Sequence, residues 1–465
     1  MSILGTLSLA AQALKAQQEA IQTTGHNIAN ASTPGYSRQR VDLVTAPPSL
    51  EGGVFVGQGV RVAGISRVVD RFVEAEVMGL QSDVGYSEAQ SNALNNLEEV
   101  FPVTGGINGA LSDFFGALSD LSNNPAGLTE RISVVGKARA LGENLALTRQ
   151  NLTSLQQNLD QDVQTAVQRV NVLTEQIAKL NQQISLTEVR GDTANDFRDQ
   201  RQTLLQELAG LTGATSREES DGQVTVTAGP LLLVAGNRFA SLASDQVNLA
   251  GLHAVTYTGP DGTSFDASAL FTGGKIGSVL NVRDHQVQDV IDRLDLFAKT
   301  LVDEFNAQHA LGFDLLGNAG GNLFNPIATV ANAAKNVRVD AAVAADPRLI
   351  AAAASSTTVP GDNRNALALV NLRSTTIPAL GGLTLEDNFL TLIGDIGSQA
   401  QSAQSRFDFQ QALLSQTQAR RESVSGVNID EEMTKLIQFQ RAFESSSLLV
   451  RTTDEMYQSL IDMVR

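Results

Sequence analysis

Apolar or small residues recur along the first thirty positions at Leu4, Leu7, Ala11, Leu14, Ile21, Gly25 and Ile28, with Gln18 as the single polar member. The steps alternate three and four, the heptad rule for a stripe that stays against a partner helix. Among Asp, Glu, Lys and Arg only Lys15 and Glu19 occur here. A lone solvated helix carries charge on its free face, so this one predicts a helix covered on several sides or disordered alone. At a rise of ~1.5 Å per residue it would be about 40 Å long. The chain end repeats the device through Ile429, Met433, Leu436, Gln440, Phe443, Ser447, Val450, Asp454, Tyr457, Ile461 and Val464. Ile437, Phe439, Leu448, Leu449 and Leu460 widen that stripe beyond a two-stranded seam. Asp430, Glu431 and Glu432 stand in its first turn, where the helix dipole favours negative charge. The same period would suit two core helices of one bundle; the nearly uncharged first helix favours packing between molecules.

Between the two ends the period changes several times. Thr33-Pro34-Gly35-Tyr36 is a turn signal, followed by Pro47-Pro48, Gly52-Gly53, Gly57 and Gly59 among short β-branched stretches such as Val60-Arg61-Val62. This predicts an extended arm with a hairpin or two over residues 41–84. Helical pattern follows, with Phe114, Phe115, Leu118 and Leu121 in a short helix closed by Asn123-Asn124-Pro125. A long stripe then runs from Leu152 through Leu159, Val163, Val170, Leu173 and Ile177 to Ile184, and Gly191-Asp192 breaks it before an antiparallel return carrying Phe197, Leu204 and Leu208. From Gly213 to Gly277 the period drops to two, with turns at Asp221-Gly222, Gly229-Pro230, Gly236-Asn237 and Gly259-Pro260-Asp261-Gly262, which predicts a small antiparallel β domain. Helix resumes at Val287, Val290, Leu294, Phe297, Leu301 and Phe305, passes an irregular segment from Gly312 to Gly382, and returns from about Leu385 to Ser423. The expected fold class is mainly α with an inserted small antiparallel β domain, a long-helix rod, and terminal helices pairing as a coiled coil. The domains are nested: 1–40 with 425–465 form a terminal axial domain, 85–212 with 278–424 a helical rod, and 213–277 the inserted β domain.

Composition narrows the function. The 465 residues carry 33 basic against 50 acidic side chains, a sheath that disfavours phosphate backbones and anionic lipid, so neither nucleic acid nor a membrane surface is an expected partner. No apolar run approaches the roughly eighteen residues that span a bilayer. The start lacks the basic patch and apolar block of a cleaved secretory signal. Cysteine is absent, which removes disulfides and thiolate metal sites. A chain threaded unfolded through a narrow export channel has that composition, and so does one from a cysteine-poor proteome. The search for chemistry is empty. His26, His253, His285 and His309 lie in four different segments, none with a second ligand at zinc spacing. Gly57-Gln58-Gly59 lacks the third glycine of a dinucleotide fingerprint, no GxSxG elbow occurs, and Asp314, Asn318 and Asn322 lack the order of a calcium loop. No catalytic residue, cofactor or metal is expected, and the chain is not expected to be an enzyme.

Two signatures at the extreme ends point to a family. His26-Asn27-Ile28-Ala29-Asn30 with Thr33-Pro34-Gly35-Tyr36-Ser37-Arg38 resembles the N-terminal signature of the bacterial flagellar rod, hook and hook-associated proteins. Gly426-Val427-Asn428-Ile429-Asp430-Glu431-Glu432-Met433, Phe439-Gln440-Arg441-Ala442-Phe443 and Asp454-Glu455-Met456 resemble the matching C-terminal signature. Phe439 and Phe443 stand where Tyr is commoner, and the middle is short for the family, which implies one outer domain rather than two. Within the group the chain is most similar to the hook-associated members of the hook–filament junction, through Gly57-Gln58-Gly59-Val60, Ile65-Ser66-Arg67, Phe197-Arg198-Asp199-Gln200-Arg201, Asn306-Ala307-Gln308-His309, Asp346-Pro347 and Gly361-Asp362-Asn363.

The resemblance implies a secreted structural subunit, exported unfolded by a type III route and required for filament assembly. Its implied partners are copies of itself in a ring or tube, the hook protein on one side, a second junction protein on the other, and an export chaperone on the C-terminal helix. The assembly residues expected are Leu4, Leu7, Leu14, Ile21 and Ile28, facing Met433, Leu436, Phe443, Val450 and Tyr457 within a subunit, with Phe439 beside them. Asn27, Asn30, Pro34, Gly35 and Tyr36 would set where the chain leaves the axial tube, or serve only as caps and turn formers. The alternatives are another flagellar axial protein, or a binding or adhesive protein displayed on the β domain.

Overall fold

The computed structural model describes residues 3–51, 53–102, 105–247 and 251–464. The first helix, α1 (Ile3–Ala29), leads into the arm. There β1 (Gln39–Thr45) pairs antiparallel with β4 (Val60–Arg67), and β2 (Ser49–Glu51) pairs with β3 (Val54–Val56) at the far end of the hairpin. Strand pairing ends at Arg67, well short of the expected limit at residue 84. The cause is Asp70, whose carboxylate accepts the Phe72 and Val73 amides at 2.9 and 3.4 Å and so starts α2 (Arg71–Glu99).

Four more elements build the rod. They are α3 (Gly106–Asn123), the 62-residue α4 (Leu128–Val189), α5 (Asn195–Thr212), which returns antiparallel to it, and much later α11 (Leu385–Ser425), which lies along α2. At ~1.5 Å per residue α4 is about 93 Å long. Its buried stripe contains every large apolar position read from the period, Leu152 to Ile184.

The inserted part holds two small antiparallel sheets. One is a meander of β5 (Thr215–Glu218), β6 (Val224–Ala228), β7 (Leu231–Ala235) and β8 (Arg238–Phe239); the other joins β9 (Ser241–Ala243), β10 (Thr256–Thr258) and β11 (Ser264–Asp266). Along β6 burial alternates, with Val224 and Val226 inward. The chain enters and leaves this insert through one neck. Gly213 closes α5 at φ +71°, and a Cβ there would lie 2.9 Å from the Cα of Gly273, a crossing too close for a side chain on either strand of backbone.

The insert shares one continuous apolar core with α4: Val226, Leu233, Leu242 and Tyr257 belong to the same cluster as Val163, Val170 and Ile177. Two asparagines of α4 fasten it. Asn181 bonds both the amide and carbonyl of Val224 and also Gly236, and Asn171 bonds both backbone groups of Leu242. Beyond the insert, α6 (Gly274–Asn281), a π turn over Val282–Gln286, and α7 (Val287–Ala310) return to the rod. The Asn- and Ala-rich stretch that follows holds the short α8 (Ala333–Asn336), α9 (Ala341–Ala345) and α10 (Arg364–Asn371) and two 3-10 turns, Pro347–Leu349 and Pro378–Leu380. The last helix, α12 (Ile429–Val464), comes back along α1.

The main core draws on residues 78 to 403, and a small second cluster joins Val73, Val77, Leu80 and Val84 to Leu414. Neither contains a residue of α1, the arm or α12.

Candidate assembly interface

The most deeply buried side chains of α1 and α12 are small or polar. On α1 the buried positions are Ala10, Ala16, Ala20, Thr23, Thr24 and Asn27; on α12 they are Glu432 and Thr453, with Lys435, Phe439, Ala442 and Ser446 half-buried on the same face. Deep burial therefore does not fall on the large apolar stripes expected to face each other. Leu7 is 38% exposed, Met433 44%, Phe443 36% and Tyr457 48%, while Leu14, Ile21, Ile28, Leu436, Phe439 and Val450 are half-buried. Leu4 lies in α1, but its side chain falls outside the described residues.

A second face of α1 is covered by its own arm. The β1–β4 hairpin runs back along the helix from Gln39, which bonds Asn27, to Gly59, where an added Cβ would lie 3.2 Å from Leu9 Cγ. The lack of charge on α1 is thus answered partly inside the molecule.

The signature residues at the end of α1 form a joint. Asn27 satisfies its whole amide: Nδ2 donates to Gln39 O and to Glu432 Oε2, both at 2.8 Å, and Oδ1 accepts from Gln39 N at 2.9 Å and Tyr36 Oη at 2.8 Å. Glu432, 2% exposed, also receives the Lys435 ammonium at 2.7 Å. A buried carboxylate with partners on both oxygens tolerates its charge, and here it fixes which turn of α12 meets which turn of α1. Burial, with Asp196, Asp199 and Glu432 nearby, pushes the Tyr36 phenol well above its usual range, so it stays a donor. His26 flanks it, Nδ1 3.1 Å from the hydroxyl and Nε2 3.6 Å from Asp196.

The roles of Asn30 and Gly35 differ from that of Asn27. Asn30 acts locally, its Nδ2 on His26 O at 3.0 Å and its Oδ1 accepting from Thr33 Oγ1 at 3.2 Å. Gly35 turns the chain at φ +80° and packs on α5, where a Cβ would sit 2.5 Å from Thr203 Oγ1. Pro34 is exposed beside it. From this turn the chain is tied in three directions. Ser37 N and Arg67 Nη1 share the Asp199 carboxylate at 2.9 and 2.7 Å, Arg38 N donates to Ser425 O at 2.8 Å, and Arg421, ion-paired to Glu74 at 2.6 Å, reaches Gly35 O at 3.4 Å. The joint therefore couples the axial pair to α5 and to the end of α11.

Three of its members escaped the sequence reading. Glu432 reads as one of three dipole acids, and Asp199 and Arg67 sit inside motifs with no evident task; only their presence in signature stretches marked them. Between the Thr33–Tyr36 turn, α4 and α5 lies an open groove of about 700 Å³, lined by Pro34, Tyr36, Leu180 and Leu204 among others.

Elsewhere the charged groups hold structure. Arg283 and His253 converge on Asp160 at 2.6 Å each, and although burial opposes its charge, the bonds from His253 and the Arg283 charge hold its carboxyl below the usual range. His309 is buried and driven toward the neutral form; its Nδ1 faces Gly321 O at 2.8 Å and its Nε2 accepts the Ala351 amide at 2.9 Å. Among the described residues no group of three His, Cys, Asp or Glu is placed to hold a metal, and no helix is long and apolar enough to cross a membrane.

Helical termini that close on each other through a narrow seam and turn their large apolar residues outward define a subunit built for polymerisation. The chain belongs to the flagellar hook-associated protein family. The family "Flagellar hook-associated protein FlgK helical domain" matches residues 94–324. "Flagella basal body rod protein" matches residues 7–36, and "Flagellar basal body rod FlgEFG protein C-terminal" matches residues 418–463. Flagellar hook-associated protein 1 of Bacillus subtilis is 29% identical over 98% of this chain and 97% of its own length. The proteins of that name from Salmonella typhimurium and Escherichia coli are each 25% identical over 97% of this chain and 98% of theirs. The structure of the flagellar hook junction protein FlgK from Burkholderia pseudomallei shares the fold, with a TM-score of 0.66 and 18% identity across 76% of this chain and all of that one.

Proposed function

We infer that this chain is a structural subunit of the bacterial flagellum, set at the junction of hook and filament, secreted to that position and required for the filament to attach. The observation that carries the reading is the outer face of the axial pair. Met433, Ile437, Leu448, Met456, Tyr457 and Ile461 stand 44% or more exposed along a helix with only Glu432 and Thr453 deeply buried among its described residues. Side chains of that size gain about 1.5–3 kcal/mol each when fully covered, so a ring or tube of copies is the natural way to bury them. The near-complete length shared with hook-associated proteins 1 supports the junction rather than the rod, since rod-type similarity is confined to the two ends.

The hook protein on one side and a second junction protein on the other are the partners this reading implies. An export chaperone would take α12 before assembly, hiding its apolar face. The absence of any catalytic constellation in the sequence supports a purely structural role. The deciding experiment is genetic. Cells lacking this chain should complete their hooks and release unattached filament protein, and the intact gene should restore filaments. Filaments growing normally on such hooks would overturn the reading, and hooks that never form would move the chain to the hook itself.

A further inference from the structure

We propose that the tip of the arm, β2–β3, docks in the groove beside the joint of a neighbouring copy, with Phe55 and Leu50, paired across the hairpin on one face, as the inserted side chains. The proposal rests on the polymeric role above and adds a specific contact to it. Leu50 and Phe55, 64% and 73% exposed, stand opposite each other on one face of a hairpin of two three-residue strands, an apolar pair that no described residue of its own chain covers. An isolated two-stranded hairpin of this length is marginal in water and needs a surface to lie on.

The groove answers it. At about 700 Å³ it falls within the ~300–1,000 Å³ of clefts that enclose a ligand, and Leu180, Leu204, Pro34 and Tyr36 give it an apolar patch inside a wall of polar residues such as Gln176, Gln183 and Gln200. The tip cannot enter its own groove. The arm runs from the joint at Asn27 back along α1 to Leu9, so the tip and the groove are separated by eighteen helical residues, about 27 Å. A copy displaced along the axis brings its joint to the tip of the first. Because groove and arm hang from the same joint, the contact continues the axial interface outward, and one copy offers both halves.

The chain has no cysteine, so the contact can be read directly by disulfide trapping. Phe55→Cys and Gln200→Cys, on the tip and the exposed groove wall, are co-expressed as separate full-length chains in cells lacking the wild type, and their flagella are oxidised. The pair should link at least about tenfold more in flagella than in purified monomer at equal concentration, because docking raises the local thiol concentration toward the mM range. Phe55→Cys paired with Phe409→Cys, at an exposed site on α11, should not link. Attached filaments without the 55–200 link, or with equal linking to position 409, would overturn the docking while leaving the junction role intact. Leu50→Cys with Gln183→Cys reads the same contact should Phe55→Cys itself block assembly. Loss of the junction role would show separately, as normal filaments in cells without the chain.

Discussion

Asn27 joins residues four hundred positions apart through a side chain with no spare hydrogen-bonding group, and it sets the register of the axial pair. Replacing it with alanine leaves one Glu432 oxygen buried without its amide partner, a loss of about 1–3 kcal/mol. Asn27→Ala should raise amide exchange across the Thr23–Asn27 turn of α1 while leaving α4 unchanged; equal exchange in both proteins would reduce Asn27 to a local cap. Gly35 is constrained twice, by its positive φ and by Thr203. Gly35→Ala should destabilise the joint by about 1–3 kcal/mol, and Thr203→Ala should restore only the steric part, seen as partial recovery of protease resistance at Pro34–Arg38. His309 carries a pH dependence of known sign. Its folded pKa is lowered, first by burial, so its contribution is fully present above the unfolded value of 6.5 and declines as pH falls below that. Unfolding of the helical body should occur at lower urea at pH 5.5 than at pH 7.5, with a smaller pH difference in His309→Asn.

Among the elements, α4 and the axial pair stand at opposite limits of self-sufficiency. The buried stripe of α4 is filled from α3, α5, α7 and the sheets of the insert. The axial pair contributes nothing to that core. Removing residues 1–30 should therefore leave the thermal unfolding of the helical body within about 0.5 kcal/mol of the full chain, since no buried contact of that body is lost. The same truncation should abolish incorporation into flagella. A truncated chain that still attached filaments would show that the axial pair is dispensable for assembly.

The whole molecule is consequently uneven in stability. The rod and insert form one cooperative core, while α1 and α12 are held by a thin seam, the arm and a polar joint. Ordering the 27 residues of α1 and the 36 of α12 costs backbone entropy of order 1 kcal/mol each, which their few deeply buried side chains offset poorly in a lone molecule. Hydrogen exchange on dilute monomer should find α1 and α12 near the rates of unstructured peptide and α4 strongly protected; protection of both termini would make the pair a stable unit before assembly.

Much of this was legible in the chain itself. Local periodicity and turn chemistry determine the helices, the insert between Gly213 and Gly277, and the signatures at Asn27 to Arg38 and Gly426 to Phe443. They do so because a period of 3.6 or of two, and a glycine at positive φ, act over a few residues. Heptad spacing also told that both ends would pair. Only the tertiary structure decided which face pairs. Hydrophobicity marks the residues that leave water somewhere, and it cannot say whether they do so inside one chain or between several. Here the deepest burial on α1, covered by both α12 and the arm, fell on Ala10, Ala16 and Ala20, while Met433, Phe443 and Tyr457 stayed exposed. Nor could spacing disclose that Glu432, one acid among three, is the buried partner of Asn27, since that contact exists only once two distant helices lie side by side.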